Sequence, residues 1–293
     1  MPRLYCIPTN GVFLMAADVS AISNPPKSKR KHKPAHRNLT RQWLRRMMPF
    51  ITLFVVIGGW QLVFLSGIYP EFIIPSPMQV WNEFVESVQD GTLLRHSWVT
   101  LQEMLYGLAF GLSIGALLGY MIAHNELLED LLSPVIVAFQ ATPVVAYAPL
   151  LIIWFRDGIT GKVITTAIIV FFPTLMNVVV GIRSVPKNLH DLMRVVKASR
   201  WEVFTKLEIP AAMPVLLTGL KTSVTLAVIG AVVGEFVNAN AGLGYLVNIA
   251  RGSQFNTPLV FVAVFTMTAL ALSLYLLVSL LERWLLKWQR RSR

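Results

Sequence analysis

Six apolar blocks, each close to the length of a bilayer crossing, constrain this 293-residue chain more than any other feature. A helix needs about 20 mostly apolar residues to cross the hydrocarbon. Backbone exposed to lipid must satisfy its own hydrogen bonds, so such blocks become helices. The blocks cover residues 48–65, 98–123, 131–155, 163–180, 214–237 and 259–281. The chain is 55% hydrophobic and only 14% charged, a balance that argues against an ordinary soluble domain. The expected class is an all-α membrane protein with about six transmembrane helices.

The placement of charge orients these crossings. The net charge of +11 would suit nucleic acid if it were gathered on one folded surface, but it is split among three places. Ten Lys or Arg residues precede Met47; others lie at 183–206 and after Leu281. Residues 66–97 hold Arg95 as their one basic residue, against Glu71, Glu83, Glu86 and Asp90. With six crossings, both tails and the 183–206 island fall on one side, and the positive-inside rule makes that side the cytoplasm. The acidic turn at 124–130 falls there too, but acidic residues carry little weight in this rule.

Residues 1–46 read as a basic cytoplasmic tail, disordered to about Arg37, because SNPPKSKRKHKPAHR offers too little apolar surface to fold. Its expected role is to hold orientation and touch anionic lipid. Residues 1–20 make a poor signal peptide, since the basic block follows the short apolar run. Cys6 is the one cysteine, which excludes an internal disulfide. No catalytic, cofactor-binding or metal-binding constellation is expected. The run Gly158-Ile159-Thr160-Gly161-Lys162-Val163 fails as a phosphate loop in its glycine spacing and in lacking Ser or Thr after the lysine.

Residues 47–293 form one expected membrane domain. Trp60, Trp81, Trp284 and Trp288 suit interfacial positions. Val80, Phe84 and Val88 recur at helical spacing, which predicts an amphipathic helix on the outer surface between the first two crossings. Gly107, Gly111, Gly115 and Gly119 put small residues on one face of the second crossing, a pattern that lets helix backbones approach. The third crossing contains Pro134, Pro143 and Pro149. Proline frees carbonyls and bends helices, so Gln140, Thr142 and Pro143 are candidates for a translocation path. Glu103 and Glu235 lie at membrane depth near the outer ends of their crossings, where solvent is within reach. Glu235 joins the candidate path, with a hydrogen-bonding structural role as the alternative. Lys221 is the one deep cation expected in the crossings.

The island from Pro186 to Pro214 is the most specific stretch. Ser184 and Pro186 suit a helix start. Leu189, Leu192, Met193 and Val196 mark one apolar face. Ser199-Arg200-Trp201-Glu202 has the form of a capping box that opens a second short helix. Trp201 and Phe204 then lie one turn apart and face the same way. Pro210 and Pro214 are expected to end the surface helix and begin the next crossing. Two angled helices showing aromatic and basic groups make a knob, and tryptophan is a common anchor in a partner's groove.

At these residues the chain resembles the membrane subunit of type I ABC importers. The family signature is a Glu-Ala-Ala run, a glycine, and a later Ile/Leu and Pro. Asp191-Leu192-Met193 stands where the first run does, and Lys197 where the glycine does. Ala198-Ser199-Arg200-Trp201 and Ile209-Pro210-Ala211-Ala212-Met213-Pro214 match well. The resemblance continues through Gly219-Leu220-Lys221, Gly234-Glu235-Phe236 and Gly242-Leu243-Gly244-Tyr245-Leu246. Pro75-Ser76-Pro77 and Thr100-Leu101 extend it upstream. It is closest to the nitrate, sulfonate and taurine branch, which includes permeases for riboflavin and thiamine precursors. A left-handed corner costs a lysine about 1–2 kcal/mol relative to glycine. The chain therefore either bears that cost at Lys197 or takes a different turn.

The resemblance implies a type I importer (MetI-like) transmembrane domain with a cytoplasmic coupling loop at about 183–210. It implies a passive conduit in the bacterial plasma membrane, paired with a second copy. Two ATP-binding cassette subunits would take up the knobs, and an extracytoplasmic solute-binding protein would deliver cargo. The expected coupling residues are Asp191, Lys197, Ala198, Ser199, Arg200, Trp201, Glu202, Phe204 and Pro210. The sparse polar lining leans towards a heteroaromatic solute such as riboflavin or a thiamine pyrimidine, with sulfonate, taurine or nitrate as the alternative. A rival class, the ion-coupled secondary transporter, predicts internal repeats with matching broken helices, which the chain lacks. An intramembrane enzyme would need a buried histidine beside a nucleophile. His96 and His124 instead flank the second crossing, and His190 lies in the island.

Overall fold

The structure, a computed structural model, describes residues 39–155 and 158–287. The expected disordered tail to about Arg37, Trp288 and the last basic residues lie outside that range. Among the described residues the chain is all helical. It divides after Phe54 into two units, and the second, Val55–Arg293, contains the core. Helix α1 (Leu39–Leu65) covers the first expected crossing. Helices α3 (Thr92–His124), α6 (Thr160–Arg183) and α11 (Thr257–Leu285) cover the second, fourth and sixth. The fifth lies in α9 (Ile209–Asn238).

The third crossing differs from the single bent helix its prolines suggest. It is two helices, α4 (Glu126–Ala141) and α5 (Val144–Trp154), that meet at 96°. The cause is local. Proline disfavours helical geometry in the residue before it, and Thr142 accordingly takes φ −86° and ψ 122° ahead of Pro143. Pro134 and Pro149 sit inside their helices without breaking them. Among the described residues, five helices are long and apolar enough to span a membrane, or six if the bent pair counts as one.

Helix α6 is central, flanked by α3 on one side and α9 on the other. Small residues set both distances. A Cβ on Gly111 would stand 2.6 Å from the Ala167 carbonyl oxygen, and one on Gly119 2.7 Å from that of Leu175. On the other face, a Cβ on Gly230 would meet the Thr166 backbone at 2.6 Å. The glycine face expected on the second crossing is therefore a seam of backbone contact with α6.

The expected amphipathic helix is α2 (Pro77–Gln89), closed by a capping box between Ser76 and Gln79. Its stripe is only partly used. Val80 is buried in the core cluster, whereas Phe84 and Val88 stay exposed. Trp60 is fixed more firmly than an interfacial residue needs: its Nε1 donates to the Pro75 carbonyl at 3.0 Å and its ring stacks on Phe261. Trp81 and Trp284 are exposed, as belt positions would be.

Replacing Gly111 with leucine should force α3 away from α6. Overpacking of this kind costs about 1–3 kcal/mol. The expected outcome is a lower melting temperature in detergent and a smaller yield of assembled protein; unchanged values for both would count against the seam.

Candidate functional site

The island folds into helix α7 (Lys187–Val195) and helix α8 (Arg200–Val203). Between them Lys197 adopts φ +52°. The turn is a Schellman motif: the Ala198 N–H donates to the Met193 carbonyl and the Lys197 N–H to that of Arg194, both at 3.0 Å. The left-handed corner is thus kept with lysine in glycine's place, and two orphan carbonyls of α7 are satisfied. The capping box is present as expected. The Glu202 N–H donates to Ser199 Oγ at 3.2 Å, and the Ser199 N–H to Glu202 Oε2 at 2.9 Å. Lys206 then pairs with Glu202 at 2.8 Å, one turn on.

Two details differ from expectation. Ser184 does not cap α7; its hydroxyl donates to the Gly181 carbonyl at the end of α6, and Pro186 is the residue that precedes α7. Nor does Pro210 end the surface helix. A π turn over Phe204–Glu208 joins α8 to α9, so one helix runs on from Arg200 to Val237. The Ile209 N–H reaches back five residues to the Phe204 carbonyl, and the wider turn accommodates a proline that cannot donate.

The knob presents apolar surface. Leu192, Val195, Val196 and Trp201 are 56%, 78%, 62% and 70% exposed. No residue of α7 is buried. Asp191 is exposed beside Arg194, and Arg200 is exposed too. Trp201 and Phe204 are in contact, with ring centroids 5.5 Å apart, and Phe204 meets Tyr120 edge-on at 5.0 Å. Behind the knob lies an apolar cavity of about 660 Å³ whose lining includes Tyr120, Thr174, Trp201 and Phe204.

The far ends of the same helices hold a buried polar cluster. Glu103 and Glu235 are both fully buried, so neither is solvated as their positions suggested. Lys162 Nζ donates to Glu103 Oε1 at 2.7 Å, joining α6 to α3. Thr100 donates to Glu235 Oε1 at 2.6 Å. The Gly244 N–H, in the first turn of α10 (Leu243–Gly252), donates to Glu235 Oε2. A carboxylate at a helix N-terminus is favoured by the helix dipole as well. The Leu243 N–H donates to Thr100 Oγ1 at 2.8 Å, and the Gly242 N–H to His96 Nδ1 at 2.9 Å. Gly242 is at φ +119°, and a Cβ there would stand 2.1 Å from Glu235 Oε1. His96 is buried in this cluster and accepts through Nδ1.

The other candidate path residues lie apart from Glu235. Gln140, Thr142 and Pro143 are exposed together at the α4–α5 break. Lys221 is not the one deep cation: Lys162 is more deeply buried, and Lys221 pairs with Glu282 of α11. Sequence reasoning passed over Lys162, which drew notice only within the failed phosphate-loop run. Its partner Glu103 lies 59 residues away, and no local pattern links the two.

The family described as binding-protein-dependent transport system inner membrane component matches residues 111–287. The chain belongs to that family. The permease is 46% identical over 258 residues to the riboflavin transport system permease protein of Chloroflexus aurantiacus, covering 87% of this chain and 95% of that one. It is 34% identical to the formylaminopyrimidine transport permease protein of Halalkalibacterium halodurans, over 75% and 88% of the two chains. Its fold matches a chain in an inward-facing structure of the MetNI methionine ABC transporter, with TM-score 0.59, 19% identity, and 66% and 96% of the chains covered. It is thus an ABC importer permease, a multi-pass membrane protein of a system that includes ATPase and binding-protein partners. The ion-coupled class finds no support.

Lys162→Met should strand a buried carboxylate on Glu103. Breaking a buried pair on one side costs about 3–5 kcal/mol, whereas replacing both partners by apolar groups is often neutral. Thermal unfolding should therefore show a large loss for Lys162→Met and recovery of most of it in Lys162→Met/Glu103→Leu. Equal losses in the two variants would argue against the pairing.

Proposed function

We propose that this permease is the passive conduit of an importer powered by separate ATPase subunits, and that these dock on the knob at 191–204. The observation that carries the reading is the exposed apolar group Leu192, Val195, Val196 and Trp201 on two capped helices. Apolar surface of this kind, held rigid, is suited to a partner's groove, with tryptophan as the anchor. Two copies of the chain pair around a central path, each bearing one knob for one ATPase. Both termini and the knobs face the cytoplasm, where the basic residues are concentrated. The break at Gln140, Thr142 and Pro143 borders the path, because irregular backbone at membrane depth is tolerated where it lines a cavity. Glu235 instead serves as a structural clamp.

The cargo we infer is riboflavin or a related heteroaromatic solute. Identity of 46% to a permease named for riboflavin supports this. The charge pattern agrees with it, since Lys162 and Lys221 are each engaged by a carboxylate and neither is offered to an anion.

Leu192 and Trp201 are exposed, so Leu192→Ala/Trp201→Ala should leave the fold intact. Loss of interface anchors costs about 2 kcal/mol or more each. The variant should fail to co-purify with its ATPase and should lose uptake, while its melting temperature stays unchanged. Normal co-purification would sink the docking reading. For the cargo, calorimetry on the cognate binding protein should give heat with riboflavin. Heat with taurine or nitrate alone would overturn that choice.

A further inference from the structure

We propose that Glu208 is the positioning residue that passes motion of the knob to α3, an inference that rests on the docking reading above. Glu208 closes the π turn between α8 and α9, and its side chain is 3% exposed. Three groups from two other elements converge on it. His124 Nε2 lies 2.8 Å from Oε1, and Tyr120 donates its hydroxyl to Oε2 at 3.0 Å; both belong to α3. His190 Nε2, from α7, lies 3.4 Å from Oε1. One carboxylate therefore ties together both arms of the knob and the end of the long helix α3.

The chemistry makes this tie firm. His124 faces an acceptor on each side: Nδ1 lies 3.0 Å from the Tyr120 carbonyl oxygen, and Nε2 faces the carboxylate. The buried carboxylate thus has a hydroxyl and two imidazoles within reach, and hydrogen bonds to a carboxylate are the stronger kind. Apolar packing adds to the tie at one place, where Phe204 meets Tyr120 edge-on beside the 660 Å³ cavity.

The geometry gives the tie a consequence. Glu208 shares one continuous helix with Trp201, so displacement of the docked tryptophan reaches the carboxylate directly. At its other end the tie grips Tyr120 and His124, in the last turns of a 33-residue helix. At 1.5 Å per residue such a helix is about 50 Å long and moves as a rod. Its far end carries Thr100 and Glu103, which hold Glu235 and Lys162.

The test uses the permease assembled with its ATPase and binding protein in liposomes, in a Cys6→Ser/Arg95→Cys background. Arg95 is exposed near the start of α3. Two quantities are read in the parent, Glu208→Gln and His124→Gln: riboflavin moved per ATP hydrolysed, and maleimide labelling at position 95 without nucleotide and after vanadate trapping. The parent should show a labelling difference on trapping. In both variants that difference and the riboflavin-to-ATP ratio should fall by about tenfold, within the range of ordinary couplings between sites. The double variant should fall no further than either single one.

An unchanged ratio and unchanged labelling in the variants would overturn the proposal, as would a parent in which labelling ignores trapping. Uptake and hydrolysis that fall in proportion would mark Glu208 as merely structural. If Glu208→Gln does not assemble, His124→Gln decides, because His124 is half-exposed and its loss leaves no cavity. If the parent hydrolyses ATP but moves no riboflavin, the cargo is wrong and the labelling still decides. Retained ATPase binding in Leu192→Ala/Trp201→Ala would refute the docking reading separately.

Discussion

A carboxylate in an apolar core must be neutralised where it sits, and that requirement governs how the central helices meet. Glu103 and Glu235 have no exposure at all. Burying one unpaired charge costs several kcal/mol even after relaxation, more than a few extra methylene contacts return. Each carboxylate therefore dictates its surroundings. Glu103 requires Lys162, which fixes α3 against the start of α6. Glu235 requires Thr100 and the N–H groups at the head of α10, which folds the 239–242 turn back over α3. That turn in turn needs glycine at 242, for its positive φ and for the space the carboxylate occupies.

The glycine seams make this arrangement possible. Lys162 reaches Glu103 because α3 and α6 approach backbone to backbone, at contacts that a single Cβ would obstruct. Gly234 does the same for α9, where a Cβ would stand 3.0 Å from the Lys162 Cα. Polar and small residues thus act as one device: the glycines bring the helices close, and the buried pair gives the close approach a register. Either alone specifies less. A glycine seam tolerates sliding by a turn, whereas a Lys–Glu pair across a wider gap would admit water.

What could be read from the chain follows the distance over which each feature is encoded. Local features were legible: the apolar blocks, the glycine face of α3, the Ser199–Glu202 capping box and the contact of Trp201 with Phe204 each depend on residues within a turn or two. The break at Pro143 was half legible. Proline announced a break, but the 96° angle depends as well on the α6 and α9 surfaces that α5 meets. Pro210 misled, because its missing N–H was absorbed by a π turn, and nothing in the local pattern separates that outcome from a helix end. Lys197 could not be decided locally either, since its left-handed cost is small against the rest of the knob. The buried partners were illegible for a different reason. Lys162 and Glu103 are 59 residues apart, Glu208 and His124 are 84, and Glu235 and Thr100 are 135. Charge in a crossing signals that a partner exists without saying which residue supplies it.

The two polar clusters sit at opposite ends of the same helices, and this disposition bears on how a conduit can be bistable. Between them α3, α6 and α9 touch through close, largely apolar surface, which resists compression but allows one helix to pivot on another. A pivot needs fixed points. The Glu235 and Glu103 cluster supplies one, with every carboxylate oxygen but Glu103 Oε2 held by a hydrogen bond that does not depend on the knob. The Glu208 cluster supplies the attachment to the knob at the other end, and of the two it alone includes a residue of α7. On the conduit reading proposed above, rocking requires that the first cluster hold while the second is carried along with the knob. The burial suits that division: the first cluster is sealed from solvent, while the second borders it at half-exposed His124, at the end of the helices that carries the knob.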